Sequence, residues 1–144
     1  GNPFAACGKL QTIAVSPDHP KLAVADNVLF DKTEKKLICY PAGLDAANYE
    51  IPQGITAVGD SAFSFCHSLT SVTLPDSVTS IGNFAFDSCG SLTSAVIPDG
   101  VTSIGKDAFD DCADNLALTV GQNSYAMQYA IDNDIHYICP DTNN

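Results

Sequence analysis

Basic residues and long apolar runs are both scarce in this 144-residue chain. Lys and Arg together number six against 17 Asp and Glu, which gives a formal charge of −11. Phosphate backbones and anionic lipid surfaces are bound through basic side chains, so this balance argues against nucleic acid and against membrane surfaces as partners. No stretch approaches the ~18 consecutive apolar residues of a membrane-spanning helix, and we expect no membrane insertion. The hydrophobic content of 45% and charged content of 16% fit one globular domain.

Motifs of common enzymes and metal sites are also absent. The sequence has no G-x-S-x-G turn, no glycine-rich phosphate loop, no His-Glu zinc motif and no C-x₂-C pair. Three histidines, His19, His67 and His136, fall on separate segments, and we interpret them as exposed residues without a role in catalysis. His67 follows Cys66 directly, but sequence neighbours on a turn usually point apart, so an activated thiol is not indicated. We predict that the protein is not an enzyme and uses no cofactor.

Acidic residues are dense at one place only. Asp107, Asp110, Asp111 and Asp114 lie close together in the sequence, and oxygen ligands at such density can hold calcium. However, no D-x-D-x-D-G loop is present. We interpret these residues as a solvated acidic edge and predict no metal site.

A 23-residue unit is present three times between Ile51 and Val120. It reads IPQGITAVGDSAFSFCHSLTSVT, then LPDSVTSIGNFAFDSCGSLTSAV, then IPDGVTSIGKDAFDDCADNLALTV. A fixed period of this length predicts a solenoid, in which each unit buries its apolar side against its neighbours. The strictest columns of the repeat are Gly59, Gly82 and Gly105; Phe63, Phe86 and Phe109; and Cys66, Cys89 and Cys112.

Side-chain period assigns the parts of each unit. Leu69, Val72 and Leu74 predict a strand with these three residues inward, followed by a second short apolar segment that ends at Gly82. The recurring glycine fits a corner that needs a positive φ or close backbone approach. Apolar residues at spacing three to four, such as Phe86 and Cys89, predict a short helical turn that brings the phenylalanines into a stack along the axis.

The three columnar cysteines permit two interpretations. Adjacent coils lie ~5 Å apart, a separation that allows a disulfide, yet a column of three cannot pair completely. Buried, reduced thiols that pack as small apolar groups are the interpretation we favour. The cysteine pattern does not decide between an oxidising and a reducing compartment.

We predict a single domain of residues 1–144. Residues 4–15 match the second half of a unit, and we expect further repeats ahead of residue 1. The sequence itself contains no signal peptide, which leaves open whether one was removed. Residues 16–50 form an irregular segment with a β-hairpin, in which Asn27 to Phe30 and Leu37 to Tyr40 flank a polar tip. Residues 51–120 form the three regular repeats, residues 121–139 a capping helix and strand with Ser124 as N-cap, and residues 140–144 a tail.

These repeats resemble the BspA-like leucine-rich repeat, a 23-residue class of bacterial surface and secreted proteins. The resemblance rests on Ile-Pro, Val-Thr-x-Ile-Gly, Ala-Phe and Cys recurring together over residues 4–15 and 49–120. It implies a leucine-rich repeat solenoid, a right-handed stack of units that each contain a strand, a turn, a second strand and a helical turn. It also implies an extracellular or cell-surface location and binding of host or neighbouring-cell macromolecules, and it supplies no catalytic residues.

Three functions follow as hypotheses. The first is a recognition or adhesion module, a monomer that binds a protein or glycan weakly per module and through many repeats. The second is a structural spacer that displays another domain, and the third, more remote, is an enzyme with an unrecognised pocket. For the recognition module, the predicted binding residues are those facing outward on the repeat strands: Gln11, Thr12, Thr70, Ser71, Thr73, Thr93, Ser94 and Val96.

Overall fold

The computed structural model describes residues 14–140. The predictions that fall on residues 1–13, among them the start of the partial repeat with Gln11 and Thr12, lie outside the described residues, as does most of the predicted tail. In chain order the elements are β1 (Leu22–Ala25), β2 (Val28–Asp31), β3 (Lys36–Cys39), β4 (Asn48–Glu50), β5 (Ala57–Val58), β6 (Ser71–Thr73), β7 (Ser80–Ile81), β8 (Ser94–Val96), β9 (Ser103–Ile104), β10 (Ala117–Thr119), α1 (Tyr125–Asp132) and β11 (His136–Ile138).

Two sheets enclose one core. A parallel five-stranded sheet has the order β11-β10-β8-β6-β4, and a six-stranded sheet has the order β1-β2-β3-β5-β7-β9. Ser71 pairs with Ser94, and Ser80 pairs with Ser103, so each 23-residue unit contributes one strand to each sheet. We call one such unit a rung. The predicted leucine-rich repeat solenoid is therefore confirmed.

The predicted hairpin is confirmed and is extended by a strand that the sequence did not indicate. β2 and β3 pair antiparallel, and β1 adds a third antiparallel strand on the outer side of β2. β3 then pairs in parallel with β5, the first short strand of the repeats. The hairpin is thus a continuation of the six-stranded sheet and not a separate appendage.

The core contains a column of stacked aromatic rings. Phe63 and Phe86 have ring centroids 4.7 Å apart, and Phe86 and Phe109 follow at 5.1 Å with nearly parallel planes. Tyr40, 23 residues before Phe63, extends the column at 5.1 Å, and Tyr129 of α1 closes its other end at 6.2 Å. The predicted three-ring stack is confirmed, and it is longer than predicted.

Beside the rings runs the column of cysteines. Cys66, Cys89 and Cys112 are free thiols, as expected for structural residues. Each Sγ donates to the carbonyl oxygen of the aromatic residue one rung back, and the closest pair is Cys89 with Phe63 at 3.0 Å. Cys39 departs from the expectation of reduced cysteines, because it is disulfide-bonded; it ends β3 and lies outside this column.

The third side of each rung differs from the predicted helical turn. Single hydrogen-bonded turns follow one another there, and they are interrupted by left-handed residues such as Phe65 (φ 64°) and Phe84 (φ 57°). Alternate N–H groups donate to the next rung, as from Phe63 to Ala85 at 2.7 Å. A helix would satisfy these groups within its own turn, so the left-handed residues redirect them into a ladder between rungs.

The columnar glycines are required by close approach and not by a positive φ. A Cβ on Gly82 would lie 2.6 Å from the backbone nitrogen of Asp60, and one on Gly105 would lie 2.5 Å from that of Asn83. Gly59 has more room, because the nearest atom to its Cβ would be the Leu37 carbonyl oxygen at 3.1 Å. A side chain is therefore excluded most strongly at Gly82 and Gly105, where two regular rungs meet.

The last rung ends in the predicted helix and strand. The Ser124 hydroxyl accepts from the Met127 N–H at 3.1 Å and forms the expected N-cap of α1. Ala126 and Ala130 are buried, while Tyr137 and Ile138 on the edge strand β11 are exposed. Among residues 14–140, no helix is long and apolar enough to cross a membrane.

Candidate functional site

The outward side chains of the five-stranded sheet form the surface that the sequence indicated. In register they make two rows across the strands, whereas Val72, Ala95 and Leu118 between them are buried. We call these two rows the outer face. One row is Asn48, Ser71, Ser94, Ala117 and His136, and the other is Glu50, Thr73, Val96, Thr119 and Ile138.

The predicted binding residues divide into two groups. Ser71, Thr73, Ser94 and Val96 lie on the outer face, and Thr73 is the most open of the four. Thr70 and Thr93 lie just before the strands, where their hydroxyls donate to backbone carbonyls one rung back, at 2.9 and 3.3 Å. These two threonines hold the rungs together, so the accessible hydroxyls are fewer than the sequence suggested.

A second concave site lies over the six-stranded sheet, on a different side of the solenoid. It encloses about 750 Å³ between the hairpin and the outward faces of the short strands. We call it the hairpin groove. Its floor is the small-residue row Ala57, Ser80 and Ser103, and its walls include His19, Lys21, Leu22, Asp31, Glu34, Lys36, Ile38, Asp60 and Asn83.

Asp31 fixes the hairpin wall of this groove. Only 2% of the residue is exposed, and Oδ1 accepts from the Thr33 hydroxyl and from the Thr33 and Glu34 N–H groups at 2.8–2.9 Å. Lys21 adds an ion pair at 3.4 Å. Burial opposes ionisation of this carboxyl, but the hydrogen bonds from Glu34 and Thr33 and the contact with Lys21 outweigh it and hold the pKa below its usual range.

His19 has a structural role that the sequence did not show. It is half-buried, and its Nδ1 accepts from the backbone N–H groups of Lys21 and Leu22 at 3.1 and 2.9 Å. His67 and His136 are exposed as expected.

Along one side of the floor, two side chains join successive rungs. Asp60 Oδ1 accepts from the Asn83 N–H, and Asn83 Oδ1 accepts from the Lys106 N–H, both at 2.8 Å. Each of these side chains lies against the columnar glycine of the following rung. This side of the groove is therefore a fixed ladder of amide and carboxylate groups.

Acidic residues of two rungs meet on the third side. Oxygens of Asp87, Asp110 and Asp111 lie within 4.8 Å of one another, so the acidic group noted in the sequence includes Asp87 of the rung before. Burial, together with the charges of its acidic neighbours, raises the pKa of Asp87 above its ordinary value. Asp110 and Asp111 are exposed, as the solvated-edge interpretation predicts.

No pair of nucleophile and base forms at Cys66. Its thiol is buried and donates to the Tyr40 carbonyl oxygen at 3.6 Å, while His67 is exposed with its ring 6.3 Å from that of Phe65. Burial raises the pKa of Cys112 to about 12, and the nearby Cys89 adds to this. Neutral, buried thiols are poor nucleophiles.

Parallel rungs of 23 residues, a filled core and an exposed strand face define a leucine-rich repeat solenoid. The family model described as BspA type leucine rich repeat region matches residues 39–134 in six copies. The chain therefore belongs to the BspA-type leucine-rich repeat family. Comparison with curated proteins gives no significant match.

Solved structures of similar architecture come from bacteria. A leucine-rich repeat protein from Eubacterium ventriosum is 29% identical over 81% of this chain and 32% of its own, with a TM-score of 0.73. A leucine rich cell surface protein from Faecalibacterium prausnitzii is 32% identical over 82% of this chain and 38% of its own, with a TM-score of 0.63. The pneumococcal vaccine antigen PcpA is 25% identical over 79% and 34%, with a TM-score of 0.65. The chain thus spans about a third of the length of each.

Proposed function

We propose that the chain is a recognition module that binds a protein partner through the outer face of the five-stranded sheet. The observation that carries this proposal is the in-register pair of outward rows, in which Ser71, Thr73, Ser94 and Val96 form a flat patch of small side chains. Small side chains lose little rotamer freedom on contact and let a partner approach the sheet closely. Leucine-rich repeats are a protein-interaction or surface-associated type of module, which supports the assignment.

The size of the face predicts weak binding per module. Five strands ~4.8 Å apart span roughly 19 Å across the sheet, and the three residues of each strand cover about 10 Å along it. This area is well below the ~800 Å² that each partner contributes to a standard interface. Longer arrays would bind more tightly because linked sites raise the effective concentration, and the similar solved proteins are more than twice as long as this chain.

The leucine-rich repeat solenoid is a non-catalytic type of fold, and we propose that this chain has no enzymatic activity. The buried thiol of Cys66 and the exposed ring of His67 support this. We further propose that the module acts outside the cell or on its surface. The cell-surface description of the Faecalibacterium prausnitzii protein supports that location, as does the disulfide at Cys39, since disulfides persist in oxidising compartments.

The test is a binding screen against matrix proteins and mucosal glycoproteins with tetramerised protein, to compensate for weak single sites. Thr73→Lys and Val96→Lys, on paired positions of the outer face, should abolish the signal of any partner that binds there. Thr102→Lys is the matched control, because Thr102 is exposed just before β9 and belongs neither to the outer face nor to the lining of the hairpin groove. A partner that binds all three variants equally would contradict the proposed face. The absence of binding to every protein in the screen would favour the spacer function.

A further inference from the structure

The hairpin groove is a second concave surface that the recognition of a partner by the outer face does not use. Its volume of about 750 Å³ lies within the range of small-molecule and cofactor sites, ~300–1,000 Å³. The hairpin strands precede β5 in the same sheet and close one end of the groove, while Asp60 and Asn83 flank the floor. The groove therefore runs along the solenoid axis over β5, β7 and β9. A groove of this direction suits a linear ligand that lies across the rungs.

The charges that line the groove nearly balance. Lys21 and Lys36 stand against Asp31, Glu34 and Asp60, and the pairing of Lys21 with the buried Asp31 neutralises two of them. The chain as a whole has a formal charge of −11, so the groove is unusual in lacking a strong field of either sign. Such a site neither attracts nor repels an ion strongly and complements an uncharged ligand.

The lining offers hydrogen-bond donors and acceptors in nearly equal measure. Hydroxyls of Ser80 and Ser103 can do both, Lys36 donates, and Asp60 and Glu34 accept. Leu22, Ile38 and Ala57 supply small apolar patches between these groups. A chain of sugar rings presents the same alternation of hydroxyl groups and apolar C–H faces.

The spacing of the rungs favours a glycan over an extended peptide. Ala57, Ser80 and Ser103 pair in register, so the floor repeats once per rung, at ~4.8 Å. A β-1,4-linked pyranose chain advances by about one rung spacing per ring. Side chains on one face of an extended peptide instead repeat every ~6.6 Å and would fall out of step within two rungs.

We propose that the hairpin groove binds an uncharged, extended, β-linked oligosaccharide that lies along the solenoid axis. This site lies on a different sheet from the outer face, and the proposal does not depend on the proposed protein partner. Three rungs of floor accommodate about three rings, so affinity should rise with oligosaccharide length up to three or four rings and then level off.

The experiment uses amide NMR spectra of the labelled chain, titrated with cello- and chito-oligosaccharides of two to six rings. Shifts should concentrate at Ser80, Gly82 and Ser103. Ser80→Arg fills the floor and should weaken binding at least tenfold, whereas Ser94→Arg, the same change on the outer face, should leave it unchanged. Thermal unfolding of both variants shows whether each is folded, and the mapping on the parent chain decides the question if Ser80→Arg is not.

Three results would overturn the proposal. One is the absence of shifts in the groove with hexaoses at millimolar concentration. A second is a set of shifts confined to Ser71 and Ser94. The third is displacement of the oligosaccharide from the groove by a threonine-rich extended peptide of comparable affinity, which would assign the groove to peptides. The first and third results leave partner binding by Thr73 and Val96 untouched, and the second would move the oligosaccharide to the outer face without removing that face as a binding surface, so the two proposals fail separately.

Discussion

Phe63 and Phe86 stack with their ring centroids 4.7 Å apart and their planes inclined by 17°. Both rings are fully buried, and each belongs to a different rung. This contact and its repetition toward Phe109 couple successive rungs through residues that lie 23 positions apart in the chain. The stability of the array therefore depends on the middle of the column.

Phe86→Ala should cost more stability than Phe109→Ala. Phe86 has a stacked phenylalanine on each side, whereas Phe109 has one stacked phenylalanine, a tilted Tyr129 on its other side and a slight exposure at the last rung. We expect a loss of about 3–5 kcal/mol in the free energy of unfolding for Phe86→Ala and a smaller loss for Phe109→Ala. Urea unfolding measures both. Phe65→Ala, at an exposed and left-handed position, is the control and should change stability by less than about 0.5 kcal/mol.

Gly82→Ala should destabilise the solenoid although no φ restriction exists there. The added Cβ would meet the backbone of Gly59 and Asp60 at 2.6–2.8 Å, so two rungs must separate. We expect a loss of about 1–3 kcal/mol, as for other overpacked sites. Gly90→Ala, where nothing lies within 4 Å of the new Cβ, should be nearly neutral. Equal melting temperatures for the two variants would show that the rungs shift apart freely.

Asp31 should make the hairpin sensitive to acid. Its folded pKa is lower than the ordinary value of 3.8, so its contribution is complete above about pH 5 and is lost as the pH falls toward the folded pKa. Asp31→Asn keeps an acceptor oxygen but cannot titrate, and the stability gap between parent and variant should shrink from pH 6 to pH 2. Chemical unfolding over that range provides the measurement. A gap that widens with acid would mean that the carboxyl is protonated in the folded state.

The columnar thiols should resist alkylation in the folded chain. Cys66 and Cys89 are buried and closed to the reagent, and burial raises the pKa of Cys112 to about 12, so little thiolate of Cys112 is present at pH 8. Iodoacetamide labelling followed by mass spectrometry should find these three residues unmodified in buffer and modified in denaturant. Cys139 is half-buried and outside the column, and it serves as the internal comparison. Rapid native labelling of Cys89 would show that the rungs open often.

The repeat was predictable because its apolar residues recur every 23 positions, and residues at a constant spacing come into register in a solenoid. Phe63, Phe86 and Phe109 were found from this spacing. Tyr40 occupies the same column, but the period lapses before Ile51, and a single aromatic residue carries no period. The number of rungs was therefore underestimated by one.

The surfaces were less predictable than the core. Thr70 and Thr73 look alike in the sequence, yet one hydroxyl bonds a neighbouring rung and the other faces solvent. The hairpin groove depends on where β1 to β3 dock, and that docking joins residues far apart in the chain. From the sequence, Asp31 belonged to a polar hairpin tip. Its carboxylate is instead surrounded by N–H groups of the turn and by Lys21, and these contacts cannot be inferred from composition.

The ladders described above share one arithmetic property. The hydrogen bond from Asn83 to Asp60, the stack of Phe63 on Phe86 and the pairing of Ser80 with Ser103 each join residues 23 positions apart. Deleting residues 60–82 would bring each severed end opposite an equivalent partner, and duplicating them would do the same. Length in such a chain is consequently free to vary in whole rungs, so the reach of the protein can change between relatives while its core chemistry stays the same.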